Sequence, residues 1–183
     1  MAESRRESLI EAAAQLLDQG GPAAVTLRAV GKAAGVSHNA PYKHFDSKEA
    51  LLAAVAGREL RRPTQALDAG PFEQLWAGLR LYVAWAMRHP ERFSLTVSRW
   101  SEENAAFAAA QAEARADWVT LVFAAQAAGR LPPGDAERLT ALLLSTAEGA
   151  VNLALTGRLA KNGPGNASPE DLVNDLFVQL SRR

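Results

Sequence analysis

Residues 26–45 read TLRAVGKAAGVSHNAPYKHF. Within this stretch Thr26 is a suitable N-cap for a short helix, and the glycine at position 35 can adopt the left-handed conformation that a sharp turn requires. Ser37 can then cap a second short helix that runs to about His44. Two short helices that follow one another around a glycine predict a helix-turn-helix, the second helix of which fits the major groove of DNA.

The second helix of this pair carries polar side chains that suit such a role. His38 and Asn39 lead the helix, where they can meet base edges, and Ala40 is small enough to touch a thymine methyl group. Arg28 and Lys48 lie in first turns of their helices, where a cation opposes the helix dipole, and a phosphate partner would explain both. Short helices joined by glycine also occur in helical bundles that bind no DNA, so a helical protein-interaction module remains open on spacing alone.

The sequence on either side of residues 26–45 predicts an all-α protein. Alanine is frequent, β-branched runs are scarce, and glycine or proline recurs at helix-length intervals. The nine expected helices lie at about 4–20, 27–34, 38–44, 48–67, 72–89, 90–100, 102–128, 134–161 and 169–181. We expect a DNA-binding domain over 1–47, a connecting helix over 48–67, and a ligand-binding and dimerisation domain over 68–183.

Composition excludes several other classes of protein. The 183 residues contain no cysteine, which removes disulfides and thiolate metal sites. The three histidines do not share a helix face, and we expect neither a metal nor a cofactor, since no phosphate-loop, dinucleotide or nucleophile-elbow motif occurs. No export signal and no membrane-length apolar run are found, so the chain is predicted to be cytoplasmic. A small helical enzyme is the remaining alternative, and no motif supports one.

The residue types at these positions, and the spacing between them, resemble those of the TetR family of transcriptional regulators, most closely over residues 5–56. The resemblance is carried by Thr26, Leu27, Arg28, Val30, Ala33, Ala34, Gly35, Val36, Ser37, Tyr42, His44, Phe45, Ser47, Lys48, Glu49, Leu51 and Leu52. It implies phosphate contacts at Thr26, Ser37, Tyr42, His44 and Lys48, and base contacts at or near Arg28, His38, Asn39 and Ala40. Lys43 is the remaining candidate DNA-binding residue, because it can follow the sugar-phosphate backbone.

The resemblance also implies a repressor that binds a palindromic DNA operator as a homodimer and is released by a small effector. The fragment HNAPYKHF is similar to a subgroup whose C-terminal domain carries Trp and then His-Gly near the start of its penultimate helix. Here Glu148 precedes Gly149 in place of that histidine, and no tryptophan comes before it. Any ligand site tied to the histidine is therefore in question.

Aromatic residues are concentrated between positions 72 and 123, and they either fill a helical core or line a pocket for an apolar ligand. The candidate pocket residues are Trp76, Leu79, Arg80, Tyr82, Val83, Phe93, Trp100, Phe107, Trp118 and Phe123. Arg99 is, with Arg80, a candidate polar anchor in that pocket.

Apolar stripes on the last two helices predict the homodimer interface, because one face of each helix is left over after covering the chain's own core. The candidate interface residues are Leu139, Leu142, Leu143, Thr146, Leu172, Leu176, Phe177 and Leu180.

Overall fold

The computed structural model describes residues 2–61, 69–100 and 104–181, and it confirms the predicted all-α fold class. These ranges contain eight α-helices and one 3-10 turn, which stands in place of the third predicted helix. The elements are α1 (Ala2–Ala24), α2 (Leu27–Ala33), η1 (Pro41–Lys43), α3 (Lys48–Leu60), α4 (Pro71–Arg88), α5 (Pro90–Thr96), α6 (Ala105–Ala127), α7 (Ala136–Leu155) and α8 (Pro169–Ser181). Within the described ranges no helix is both long enough and apolar enough to cross a membrane.

The first helix is interrupted where the sequence predicts its end. Leu9, Ile10 and Leu17 are buried along one face because they recur at helical spacing. Gly20 and Gly21 then have non-helical backbone angles, and Gly21 has a φ of +64°. The chain therefore leaves the regular helix at this glycine pair, before the last residues of α1.

The chain divides into two compact units. The first comprises Met1–Arg62 and His89–Glu113, and the second comprises Pro63–Arg88 and Ala114–Arg183. The bounds of these units differ from those of the predicted domains, because residues 89–113 belong to the unit that contains the N-terminal helices.

The core of the first unit joins helices that are distant in the sequence. Leu51 and Val55 of α3 are fully buried, and Leu95 and Phe107, from α5 and α6, belong to the same hydrophobic cluster. The Trp100 ring packs on Phe107 at a centroid distance of 5.6 Å. This packing places the start of α6 in the core of the N-terminal helices.

A buried arginine links three helices of the first unit. Arg92 of α5 is 6% exposed and binds both carboxylate oxygens of Asp18 on α1, at 2.9 and 2.6 Å. It also donates to Glu59 Oε1 on α3 at 3.2 Å, an oxygen that Arg58 shares at 3.0 Å. Loss of one partner from such a network would leave a buried charge without compensation, so the network restricts how α1, α3 and α5 pack.

Aromatic contacts hold the helices of the second unit together. Phe177 of α8 packs edge-on against Phe72 and stacks on Trp76, with ring centroids 5.5 and 6.1 Å apart. The Trp76 Nε1–H donates to Asn174 Oδ1 at 2.8 Å, which pairs the one polar atom of the indole. Arg130 lies 4.6 Å from the Phe72 ring centre and covers the outer side of the cluster.

Three helices are shorter than the sequence predicts. The α3 helix ends at Leu60 instead of Leu67, near Pro63, which disfavours helix in the residue before it; positions 62–68 lie outside the described residues. The α7 helix ends at Leu155 instead of Lys161, because Gly157 turns into the left-handed region at φ +70°. The α5 helix ends at Thr96 and does not reach position 100.

Candidate nucleic-acid interface and ligand site

The α2 helix is held at both ends by residues that the sequence indicates. Thr26 is extended, and its Oγ1 accepts a hydrogen bond from the Ala29 N–H at 3.1 Å. At the other end Gly35 has a φ of +65°, and a Cβ there would meet no atom within 4 Å. Glycine is therefore required for its backbone conformation and not for close packing. The cap, helix and turn agree with the predicted helix-turn-helix.

The segment after this turn is not the predicted α-helix. Three of its hydrogen bonds span three residues, including the Ala40 N–H to the Ser37 oxygen at 2.9 Å and the His44 N–H to the Pro41 oxygen at 3.0 Å; only the Phe45 N–H, which also donates to the Pro41 oxygen at 2.9 Å, spans four. An α-helix would need position 41 to donate to the Ser37 oxygen, and proline has no N–H. Ala40, not Ser37, is the N-cap of η1, and no side chain caps it. The prediction of a Ser37-capped helix is therefore wrong.

Close packing of α2 against η1 depends on a glycine that sequence inspection missed. Gly31 is buried, and a Cβ there would lie 3.0 Å from Pro41 Cγ. The proline ring is rigid, so a larger residue at position 31 would displace η1 from α2. Only the three-dimensional contact reveals this role, because glycine inside a helix carries no specific signal.

The candidate DNA-binding residues remain largely accessible. Eight of the ten are exposed, including Tyr42 at 55%, and His44 is half-buried. Ala40 is 9% exposed, next to the buried Pro41. The predicted thymine contact of Ala40 is thus incompatible with this conformation, in which the alanine methyl group packs inward.

Lys48 has a partner inside the protein. Its Nζ donates to the carbonyl oxygen of Pro22, which ties the start of α3 to the last residues of α1. The α3 helix itself is capped by Ser47, whose Oγ accepts from the Ala50 N–H at 3.0 Å. Lys48 is exposed, and an ammonium group has three donors, so it can hold this oxygen and bind a phosphate at the same time.

A further cation lies beside this segment and was not predicted. The guanidinium carbon of Arg6 lies 5.1 Å from the ring centre of Phe45, which is 3% exposed. Such a distance is typical of a cation–π interaction. Because Arg6 is exposed, the contact adds a positioned positive charge to this unit. No sequence pattern connects two residues that are so far apart.

The candidate pocket residues are divided between the two units. Phe93, Trp100 and Phe107 lie in the first, and the Trp100 Nε1–H donates to the Leu95 carbonyl oxygen at 3.1 Å. Arg99 also lies there and is exposed. The second unit contains Trp76, Leu79, Arg80, Tyr82, Val83, Trp118 and Phe123. The predicted aromatic residues therefore belong to two different units.

Within the second unit these residues differ in burial. Leu79 and Val83 are fully buried, whereas Phe123 is 65% exposed and Arg80 is also exposed. Trp118 is half-buried.

A polar pair lies on the inner side of α4 and α7. The Tyr82 hydroxyl donates to Glu148 Oε1 at 3.2 Å, and the Tyr82 ring stacks on Trp85 at 5.9 Å and 23°. Burial raises the pKa of Glu148, and the bond from Tyr82 lowers it by a smaller amount. Glu148 and Trp85 were not among the predicted pocket residues.

The predicted dimer residues differ in how far they are buried. Leu143 and Phe177 are each 1% exposed and belong to the core, so the structure contradicts their assignment to a surface. Leu142 is 49% exposed, and Leu153, about three turns further along α7, is 36% exposed. Half-buried positions on the two helices are Leu139, Thr146, Leu172, Leu176 and Leu180.

Two family models match the chain. Residues 9–55 match that of the bacterial regulatory proteins of the TetR family, and residues 75–178 match that of the tetracyclin repressor-like C-terminal domain. The second match covers more than half of the chain and includes α4, α6 and α7.

Similar proteins are found in Mycobacterium tuberculosis and Rhodococcus. An uncharacterised HTH-type transcriptional regulator of Mycobacterium tuberculosis is 40% identical over 60 residues, which are 33% of this chain and 30% of the relative. An HTH-type transcriptional repressor of the same species is 31% identical over 119 residues, 58% of this chain and 62% of the relative. The matched segments thus span less than two thirds of these relatives. A structure of a protein of unknown function from Rhodococcus is 28% identical, with a TM-score of 0.76 over 97% of this chain and 96% of that one.

Proposed function

Because this chain belongs to the TetR family of bacterial regulatory proteins, we propose that it is a repressor that binds a palindromic DNA operator as a homodimer and leaves it when a small, mostly apolar ligand binds. Family membership identifies a transcription regulator and removes the two alternatives of a small enzyme and a DNA-independent interaction module. The similarity to a mycobacterial repressor supports repression over activation.

The observation that carries the proposal is the capped α2 helix followed by the left-handed Gly35 and an exposed polar segment. His38 and Asn39 come directly after this turn and are exposed, so they are the candidate readers of base edges. Around them Arg28, Tyr42 and the remaining exposed candidates supply phosphate contacts, which set register and affinity without reading sequence.

A single short reading segment makes too few base contacts for specificity, so a two-fold dimer on two half-sites is required. The α7 helix offers a face for it. Leu142, Thr146, Gly149 and Leu153 follow one another at intervals of four, three and four residues, which places them along one stripe. A Cβ at Gly149 would meet nothing within 4 Å, so a partner backbone can approach closely there. On α8 the exposed Val178 extends the apolar surface.

The ligand is proposed to bind within the second unit, beside α4, α6 and α7. Trp76, Tyr82 and Trp118 are only half-buried, which leaves part of each ring available to a bound molecule. Ligand binding can lower operator affinity only if the ligand prefers the state that does not fit DNA. We expect a coupling free energy of about 1–3 kcal/mol.

Selection from a pool of random double-stranded DNA tests the proposal without knowledge of the regulated gene. The full-length protein should enrich an inverted repeat with half-sites about one helical turn apart. Asn39→Ala should reduce the binding free-energy difference between the preferred and the other base pairs at one position of each half-site, by roughly 1–3 kcal/mol. If no inverted repeat is enriched, or if the protein binds selected and scrambled DNA equally well, the proposal is overturned.

A further inference from the structure

Glu148 is a half-buried carboxylate that has no cationic partner among the described residues. Among the residues that the structure describes, its hydrogen-bond donor is the Tyr82 hydroxyl, at 3.2 Å, and no Lys, Arg or His forms an ion pair with it. The pKa of Glu148 is raised chiefly by desolvation. A single neutral hydroxyl compensates a desolvated negative charge only in part, because it supplies a hydrogen bond but no opposite charge.

A second carboxylate of α7 shows the contrast. Glu137 is exposed, and its Oε2 accepts from Arg115 Nε and Nη2 at 2.9 and 2.7 Å. Solvent would stabilise this carboxylate even without a partner. On this helix the exposed Glu137 has an arginine partner, whereas the half-buried Glu148 has, within the described part of the chain, the Tyr82 hydroxyl as its partner.

One aromatic side chain, Tyr82, contacts this carboxylate through its hydroxyl, and its ring stacks on Trp85, which is 8% exposed. Tyr82 and Trp85 are one helical turn apart on α4, and their rings stack at a centroid distance of 5.9 Å. Aromatic faces attract cations, tryptophan most strongly. A carboxylate with adjacent aromatic rings is therefore suited to an ammonium group, which gains an ion pair and aromatic contacts at one position.

The proposed dimer stripe does not cover this position. At about 100° per residue, Glu148 points roughly 130° away from the mean direction of Leu142, Thr146, Gly149 and Leu153 around α7. Dimerisation through that stripe would thus not cover the carboxylate.

We propose that Glu148, Tyr82 and Trp85 form the polar end of the effector site and select a ligand whose apolar body carries a basic amine. This inference rests on the proposed function, because it names the chemical class of the effector at the site proposed there. The amine supplies the missing positive charge, and the apolar body contacts the neighbouring rings of the second unit.

Three probes with the same skeleton test the charge requirement: 4-phenylbutylamine, 4-phenylbutanol and 4-phenylbutyrate, each titrated calorimetrically into the full-length protein without DNA. The wild type should bind the amine at least about tenfold more tightly than the alcohol and the carboxylate, a ratio that corresponds to one charge-assisted contact. Equal binding of amine and alcohol, or no amine binding up to about 1 mM, overturns the inference without any variant.

Glu148→Gln should then abolish the preference for the amine and leave the affinity for the alcohol within about threefold, because glutamine keeps the shape and the Tyr82 bond but not the charge. Glu137→Gln is the matched control and should retain the preference. A Glu148→Gln protein that still prefers the amine contradicts the assignment.

The proposal of a DNA-binding repressor and the proposal of an amine effector can be overturned independently. If the protein enriches an inverted repeat but shows no preference for the amine, the repressor proposal stands and the proposed class of effector is wrong. A protein that prefers the amine but enriches no repeat binds the ligand without supporting the operator proposal.

Discussion

Lys48 has to serve two partners at once if it contacts DNA. Its ammonium group already donates to the Pro22 carbonyl oxygen, close to the Thr26 cap of α2. The residue can thus influence DNA binding directly, through a phosphate, or indirectly, by holding the connection that precedes α2. The salt dependence of binding separates these roles, since only a phosphate contact releases counterions from DNA.

We expect Lys48→Ala to weaken binding to all DNA sequences alike and to reduce the slope of log K against log salt by about one unit. The measurement is fluorescence anisotropy of labelled operator at several salt concentrations. Lys161→Ala, an exposed lysine of the second unit, is the control and should not change the slope. An unchanged slope for Lys48→Ala, together with a lower free energy of unfolding, would assign Lys48 to the Pro22 contact alone.

Burial of Glu148 has a consequence for stability at different pH values. Because its pKa is raised in the folded state, the native protein holds the Glu148 proton more tightly than the unfolded chain does. Its favourable contribution is complete below the ordinary value of 4.5 and is lost as the pH rises through the raised pKa. At pH values above this raised pKa the ionised side chain therefore opposes folding.

Glu148→Gln should accordingly raise the free energy of unfolding at about pH 8 and lose this advantage towards about pH 4. Urea unfolding at the two pH values measures the difference. The exposed Glu137→Gln change serves as the comparison. A stability difference between Glu148→Gln and wild type that stays constant with pH would show that desolvation of the carboxylate does not govern it.

At the scale of elements, the contact between α2 and η1 sets the geometry of the proposed DNA-binding surface. Pro41 prevents an α-helix from Ser37, and it packs on the one position of α2 that has no side chain. Arg92, further along the chain, restricts the packing of α1, α3 and α5 through Asp18 and Glu59. The Gly31–Pro41 contact and the Arg92 ion pairs depend on the shape and charge of side chains from different elements. Neither depends on the helix propensity of a single element.

Gly31→Ala should destabilise the protein by about 1–3 kcal/mol, because the added methyl group lies against the rigid Pro41 ring. Gly57→Ala is the matched control, since its Cβ would make an ordinary contact with Ala110 at 3.6 Å, and helix propensity there favours alanine by about 0.5–1 kcal/mol. Denaturant unfolding of both variants gives the comparison. Equal stability of the two variants would mean that η1 is free to move away from α2.

At the scale of the whole molecule, the proposed dimer depends on which apolar residues the monomer leaves exposed. Leu142 and Leu143 are neighbours in the sequence, but the first is 49% exposed and the second 1%. Only the exposed leucine is available to a partner subunit, whereas the buried one stabilises the chain's own core.

Leu142→Glu should give a folded monomer with weak operator binding, whereas Leu143→Glu should unfold the chain, because it buries a charge without a partner. Sedimentation velocity reports the oligomeric state and circular dichroism the fold. A wild-type monomer at micromolar concentration, or a Leu142→Glu protein that remains dimeric, would exclude this face as the interface.

The sequence by itself determined the helical class, the Thr26 cap, the Gly35 turn and the end of the first helix, because each of these depends on residues within one turn of one another. It also predicted most of the exposed polar residues around that turn. Tertiary structure decided the rest: η1 in place of a helix, the Gly31–Pro41 contact, the burial of Leu143, and the pairing of Glu148 with Tyr82. These depend on which helix faces meet, and an apolar or acidic residue on a helix gives no indication of whether its neighbour will be solvent, another helix or a ligand.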